Sequence, residues 1–139
     1  MSTVIRPELS SKNKYFVEKH RYYELKHFCL QYPIWKKAYV ELDGLSKRPV
    51  ESIVFVKINS NTSPTEKCAI AKSFYSERIK LIERVARHTD PELSSYILKA
   101  VTEGLSYTNL KSRLDIPCSR DTYYDRYRRF FWLLNKERD

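Results

Sequence analysis

The 139-residue sequence is poor in the residues that build nucleotide-binding loops and disulfide frameworks. Its two glycines, Gly44 and Gly104, lie far apart, so neither the P-loop nor the glycine-rich Rossmann loop can be assembled. Its three cysteines include no CxxC pair and show no framework spacing, which indicates a reducing compartment.

Long apolar runs and clusters of metal ligands are also absent from the sequence. No window approaches the roughly 18 apolar residues of a membrane span, and the opening residues MSTVIRPELSSKNK contain no apolar core of a signal peptide. We therefore expect a cytoplasmic protein that does not associate with a membrane. No acidic, histidine or cysteine residues have the spacing of a zinc site or a metal-dependent nuclease. We accordingly expect no metal ion, no cofactor and no enzymatic activity.

Positive charge is abundant instead. The chain has 26 lysines and arginines against 17 aspartates and glutamates, a formal net charge of +9. This excess is distributed along the sequence rather than concentrated in one tail. It favours a polyanionic partner such as a nucleic acid.

The spacing of apolar residues predicts an all-α fold of about five helices. Residues 1–12 are polar and are expected to form a flexible arm, and residues 13–44 are expected to form an N-terminal helical hairpin. Residues 45–62 are rich in β-branched side chains and fit either a short strand or an extended linker. Residues 63–139 are predicted to form a helical DNA-binding domain.

Several local signals mark helix ends. Ser63-Pro64-Thr65-Glu66 predicts a capping box at the start of a long helix, whose apolar stripe includes Ile70 and Phe74. Thr89-Asp90-Pro91-Glu92 predicts a second helix that stops at Gly104. Ser106 is expected to cap a third, short helix, on which Leu110 and Leu114 share one face.

The last segment, IPCSRDTYYDRYRRFFWLL, is crowded with aromatic residues and arginines. Its rings could stack on single-stranded bases, or they could form the core face of a helix that binds a duplex. At 100° per residue, Tyr123, Tyr127, Phe130 and Leu134 fall on one face. Base stacking uses exposed rings on a sheet or barrel, so we predict buried rings and a helix-turn-helix over residues 106–136.

The start of the final helix is the predicted DNA-binding site. A capped helix N-terminus attracts phosphates, and an arginine there can bind guanine O6 and N7. We expect base-edge or near-base contacts from Ser119, Arg120, Asp121, Thr122 and Tyr124, phosphate contacts from Arg128 and Arg129, and further DNA contacts from Ser106 and Lys111. Arg126 lies nearer the apolar face and is expected to pair with an acid. Trp132 lies opposite that face and is expected to pack against the N-terminal hairpin or a second copy in a homodimer.

The segment GLSYTNLKSRLDIPCSRDTYYDRYRRFFWLL, residues 104–134, resembles the C-terminal helix-turn-helix of phage and mobile-element late transcription regulators of the RinA and ArpU type, which is itself similar to the fourth region of bacterial sigma factors. The resemblance implies a promoter-binding activator of late genes that acts with host RNA polymerase in the bacterial cytoplasm. Two alternatives are a terminase small subunit, which packages DNA and assembles into a ring, and an interaction module that binds polymerase.

Overall fold

The computed structural model describes residues 12–45 and 63–138, without the side chains of residues 44 and 45. Regular secondary structure in these ranges is entirely helical. The six helices are α1 (Lys19–Leu30), α2 (Tyr32–Leu45), α3 (Pro64–Thr89), α4 (Ser94–Glu103), α5 (Tyr107–Leu114) and α6 (Arg120–Glu137). The predicted all-α class is therefore confirmed, with six helices described where about five were expected. The predicted arm and linker lie outside the described residues, except at Lys12 and Leu45.

Two compact units are distinguished by the contacts within the chain. One contains the described residues up to Gln31 together with those from Leu81 onward, and the other contains Tyr32 to Lys80. All the predicted DNA-binding residues belong to the first unit. Since α1 and α2 belong to different units, their pairing as a helical hairpin stays a prediction.

The helix starts agree with the capping signals in the sequence, with one shift. The Ser63 hydroxyl accepts a hydrogen bond from the Glu66 N–H at 3.1 Å, as expected for the start of α3. The Asp90 carboxylate accepts from the N–H groups of Glu92 and Leu93 at 3.0 and 3.2 Å. Asp90 thus stabilises a turn over residues 91–93, and α4 itself begins only at residue 94.

The two N-terminal helices differ in their bounds from residues 13–44, which were expected to form a helical hairpin. The first, α1, begins only at Lys19, where the Glu18 side chain caps it by accepting from the N–H groups of His20 and Arg21 at 2.9 and 3.2 Å. The second, α2, continues one residue beyond that range, through residue 45. By contrast, Gly104 ends α4 in the left-handed conformation, with φ +71°, as predicted.

The apolar stripe of α3 is narrower than predicted. Its buried apolar residues are Cys68, Ala71, Tyr75, Ile79, Ile82, Val85 and Ala86. Ile70 and Phe74 were expected in the stripe but are 46% and 37% exposed. Both lie to one side of the buried row, at about −100° and −60° from Ala71 on the helical wheel. The Phe74 ring is covered instead by the Arg78 guanidinium, 3.5 Å from its centroid.

The aromatic residues of α6 form the core of the first unit. Three residues of the predicted face, Tyr123, Phe130 and Leu134, are each at most 1% exposed, so their burial is confirmed, whereas the fourth, Tyr127, is half-buried. Phe131, which was not assigned to that face, is fully buried as well. Tyr22 of α1 packs edge-on against Phe131, with ring centroids 5.2 Å apart. Burial of each large apolar side chain stabilises the fold by about 1.5–3 kcal/mol, so these rings make α6 part of the scaffold.

Trp132 is accounted for by packing within the chain. Its ring lies against Tyr15, with centroids 5.4 Å apart, and the Lys136 ammonium lies 3.6 Å from its centroid. Tyr15 precedes α1, inside the segment predicted to contact this tryptophan. The same two parts of the chain are also joined by Arg21, whose Nε donates to Asn135 Oδ1 at 2.7 Å. A homodimer contact through Trp132 stays a prediction.

Candidate nucleic-acid interface

Helix α5 is short; a side-chain cap stabilises its start, and a buried leucine anchors its middle. The Ser106 hydroxyl accepts from the Asn109 N–H at 3.3 Å, as predicted for its cap, and Leu110 is fully buried. Leu114 was expected to share that buried face, but it is 36% exposed. The reason is that α5 ends at this residue and the chain folds back, so that Ile116 of the turn is buried in its place.

Residues 115–119 connect α5 to α6 by a compact turn. Asp115 adopts the left-handed conformation, with φ 50° and ψ 52°, and its N–H donates to the Lys111 carbonyl at 3.2 Å. The Ile116 N–H donates to the Leu110 carbonyl at 3.4 Å. This pattern terminates a helix by satisfying its last carbonyls, and aspartate tolerates the left-handed region better than most residues.

The start of α5 is tied to the end of this turn. The Tyr107 hydroxyl donates to the Cys118 carbonyl at 2.7 Å. Cys118 itself is half-buried. The bond limits movement of the residues that immediately precede α6.

The first turn of α6 is capped and exposed. The Ser119 hydroxyl accepts from the Thr122 N–H at 3.2 Å and lies 3.0 Å from the Thr122 hydroxyl. Four predicted site residues lie together here at the surface: Ser119, Arg120, Asp121 and Thr122. A helix N-terminus carries a partial positive charge, so this exposed turn is suited to an anionic ligand.

Arg120 is positioned by residues of α5. Its guanidinium carbon lies 5.4 Å from the centre of the Tyr107 ring, and its Nη2 lies 3.5 Å from the Thr108 hydroxyl. These contacts orient the planar guanidinium beside the start of α5. The sequence argument missed Tyr107 and Thr108. The available signal was their place directly after the Ser106 cap, at the exposed start of a helix.

Tyr124 was predicted to contact bases, and the structure corrects this. The residue is 5% exposed. Its hydroxyl accepts from the Tyr107 N–H at 3.5 Å, and its ring packs edge-on against Tyr123 at 4.9 Å. Tyr124 lies beside the buried face of α6, where the start of α5 covers it. Its side chain therefore packs between α5 and α6.

The remaining basic candidates are distributed over a wider area. Lys111 is exposed and pairs with Asp115 at 3.2 Å, at the far end of α5. Arg128 is half-buried and lies eight residues beyond Arg120, about 12 Å along the helix axis. Arg129 is half-buried, and its Nη1 donates to the Tyr15 hydroxyl at 3.4 Å. The structure therefore brings these three side chains into no single cluster with Arg120.

Arg126 pairs with acids, as expected. Its Nε lies 2.9 Å from Asp90 Oδ2, and its Nη1 contacts Asp125. Burial raises the pKa of Asp90, but hydrogen bonds from Arg126 and from the N–H groups of Leu93 and Glu92 outweigh it and lower that pKa below its usual value. The pair joins α6 to the turn that precedes α4, which makes Arg126 structural.

Within the described ranges, no group of three or more histidine, cysteine, aspartate or glutamate side chains is arranged to hold a metal ion. None of the helices in those ranges is both long and apolar enough to cross a membrane. Comparison with family models, with curated proteins and with solved structures found no match for this chain. The resemblance to late transcription regulators, which is specific over residues 104–134, therefore stays an expectation from the sequence.

Proposed function

We propose that this chain is a sequence-specific double-stranded DNA-binding transcriptional regulator, and that the first turn of α6 enters the major groove. One observation carries the proposal. The start of α6 is exposed and capped, and it presents Arg120 on the Tyr107 ring, while the aromatic residues of the same helix are buried. An arginine already held in one orientation loses less conformational entropy on binding.

The burial of the α6 rings favours a duplex over a single strand. Proteins that stack single-stranded bases expose aromatic faces to them. Here Tyr123 and Tyr124 are at most 5% exposed, and Phe130 and Phe131 are fully buried. The groups that α6 offers to a partner at its N-terminus are hydrogen-bonding and charged groups, which suit the edges of base pairs and phosphates.

The candidate residues take different roles in this complex. Arg120 binds guanine O6 and N7, and Asp121 can accept from a cytosine amino group. Ser119 and Thr122 contact the adjacent phosphate or base edges. Lys111 and Arg128 contact phosphates further along, and these contacts position the protein without reading sequence.

Activation of late genes together with host RNA polymerase, in the cytoplasm of a bacterial host, is the regulatory role that the resemblance of residues 104–134 implies. In this role the chain performs no chemistry of its own, and it recruits or orients polymerase at the promoter. The net charge of +9 supports association with DNA.

The test begins with selection of bound fragments from a random duplex library, followed by footprinting on the selected site. Arg120→Ala should weaken binding to that site by about 10- to 100-fold, and binding to random DNA by about threefold or less. Lys99→Ala is the matched control, because Lys99 is an exposed cation of α4 that pairs with Glu103. It should leave both affinities nearly unchanged. Equal losses on specific and random DNA for Arg120→Ala would contradict base reading.

Salt dependence and native mass separate the alternatives. Phosphate contacts predict that affinity falls steeply as salt rises, with a slope of about −0.9 per neutralised phosphate. A ring-shaped oligomer in native mass spectrometry would indicate a DNA-packaging protein instead. Failure to retard any duplex, together with co-purification of RNA polymerase, would indicate an interaction module.

A further inference from the structure

A cavity of about 280 Å³ lies in the first unit, between α1, the end of α4, the start of α5 and the first half of α6. Its walls are mainly aromatic and aliphatic. Helix α6 contributes Tyr123, Tyr124, Tyr127 and Phe131 to the lining, α1 contributes Leu30, and α4 contributes Val101. A cavity with apolar walls and a few polar groups is the usual form of a small-molecule site.

The polar groups of this cavity favour an anion. Lys26 of α1 is a lining residue, and no acidic residue is among the described side chains that line the cavity. Ser106 and Asn109, which form the capped start of α5, line it as well. The partial positive charge of that helix end adds to the charge of the ammonium group.

A buried hydroxyl in the cavity wall also lacks a partner. Tyr123 is 1% exposed, and its hydroxyl has no hydrogen-bond partner within the described part of the chain. Buried polar groups in proteins are almost always hydrogen-bonded. This hydroxyl oxygen is inaccessible to solvent, so Tyr123 contributes part of a closely packed wall rather than a polar group open to a ligand.

We propose that the cavity binds a small aromatic monocarboxylate, with its ring against Tyr127, the half-buried tyrosine of α6 in the lining, and its carboxylate toward Lys26 and Asn109. A cavity of about 280 Å³ is of the size that accommodates a ligand of one or two rings. A planar ring matches the aromatic walls, and a carboxylate matches the unopposed ammonium and the amide N–H donors. This site does not depend on the proposed DNA binding.

The test is an NMR titration of the full ¹⁵N-labelled chain with three acids, benzoate, phenylacetate and indole-3-acetate, each compared with its uncharged amide. We expect saturable shifts at the backbone amides of Val101, Gly104, Ser106 and Asn109 at millimolar ligand or below. We also expect at least one acid to bind tenfold or more tightly than its amide. Lys26→Ala should abolish that preference, and Lys26→Arg should largely restore it.

Lys19→Ala is the matched control, because Lys19 is an exposed lysine of α1 that does not line the cavity. It should leave the preference for the acid intact. Circular dichroism confirms that each variant is folded before titration. Equal binding of acid and amide, or loss of the preference in Lys19→Ala, would overturn the assignment of Lys26. Absence of saturable shifts for all three acids would overturn the site itself, while leaving the DNA proposal standing.

Discussion

Two tyrosines of α6 give the most direct test of the core described above. Tyr127 and Tyr22 share a hydrogen bond of 2.6 Å between their hydroxyl oxygens, whereas the buried Tyr123 hydroxyl has no partner in the described chain. Replacing either α6 tyrosine by phenylalanine keeps the ring and removes one oxygen. The two variants therefore match in chemistry and differ only in whether a hydrogen bond is lost.

Tyr127→Phe should destabilise the protein. Loss of a typical intramolecular hydrogen bond lowers the free energy of unfolding by about 0.5–1.5 kcal/mol. For a unit of this size, 1 kcal/mol corresponds to a fall in Tm of roughly 4–8 °C. Tyr123→Phe removes a polar atom from a buried site without breaking a bond within the described residues. We expect its free energy of unfolding to stay unchanged or to rise by up to about 1 kcal/mol.

The assay is urea denaturation of both variants and of the unmodified protein. Unfolding is monitored by far-UV circular dichroism and by the fluorescence of Trp132. A Trp35→Phe background leaves Trp132 as the single tryptophan, so that the signal comes from the first unit. Similar m-values would show that the variants differ in stability rather than in the extent of unfolding. If Tyr123→Phe proves as destabilising as Tyr127→Phe, the Tyr123 hydroxyl has a partner, and the reasoning on this core is wrong.

Three further predictions concern other contacts of the first unit. Asp90→Asn should lower the free energy of unfolding at neutral pH by roughly 0.5 kcal/mol and should reduce the loss of stability below about pH 4, as measured by urea titrations across pH. The reason is that the pKa of Asp90 is lowered in the folded state, so its contribution to stability is present above its unfolded pKa and is lost as the pH falls through its folded pKa. Cys118 should be alkylated well before Cys29 in mass-spectrometric time courses, because Cys29 is buried and burial raises the pKa of its thiol. Bound duplex should slow the alkylation of Cys118 but not that of Cys29. Arg21→Ala should lower the free energy of unfolding by about 1–2 kcal/mol in thermal melts, because it loses the bonds to the C-terminal end of α6.

Local signals predicted most of the helices because their causes are local. A serine hydroxyl that caps a helix bonds an amide three residues away, so Ser63, Ser106 and Ser119 could be recognised without knowledge of the fold. The stop at Gly104 depends on the backbone conformation of a single residue. The period of the aromatic residues in α6 likewise predicted which face would be buried.

The width of an apolar face and the residues that cover it depend on neighbouring elements, and these could not be predicted from the sequence. Ile70 and Phe74 were placed in the stripe of α3 but lie outside its buried row. Leu114 was paired with Leu110, although Ile116 returns through the turn to be buried in its place. Both errors arise because periodicity shows the direction of a side chain and not what packs against it.

The candidate site divides in the same way. The sequence by itself determined an all-helical chain, the capped start of the last helix and the charged residues Arg120 and Asp121 on it, since composition, period and capping act within a few residues. Only the tertiary structure decided that Tyr124 is covered, that Arg126 belongs to Asp90, and that Arg120 rests on Tyr107. These contacts join residues 13 to 36 positions apart or cover one helix with another, and the packing of whole helices brings them together.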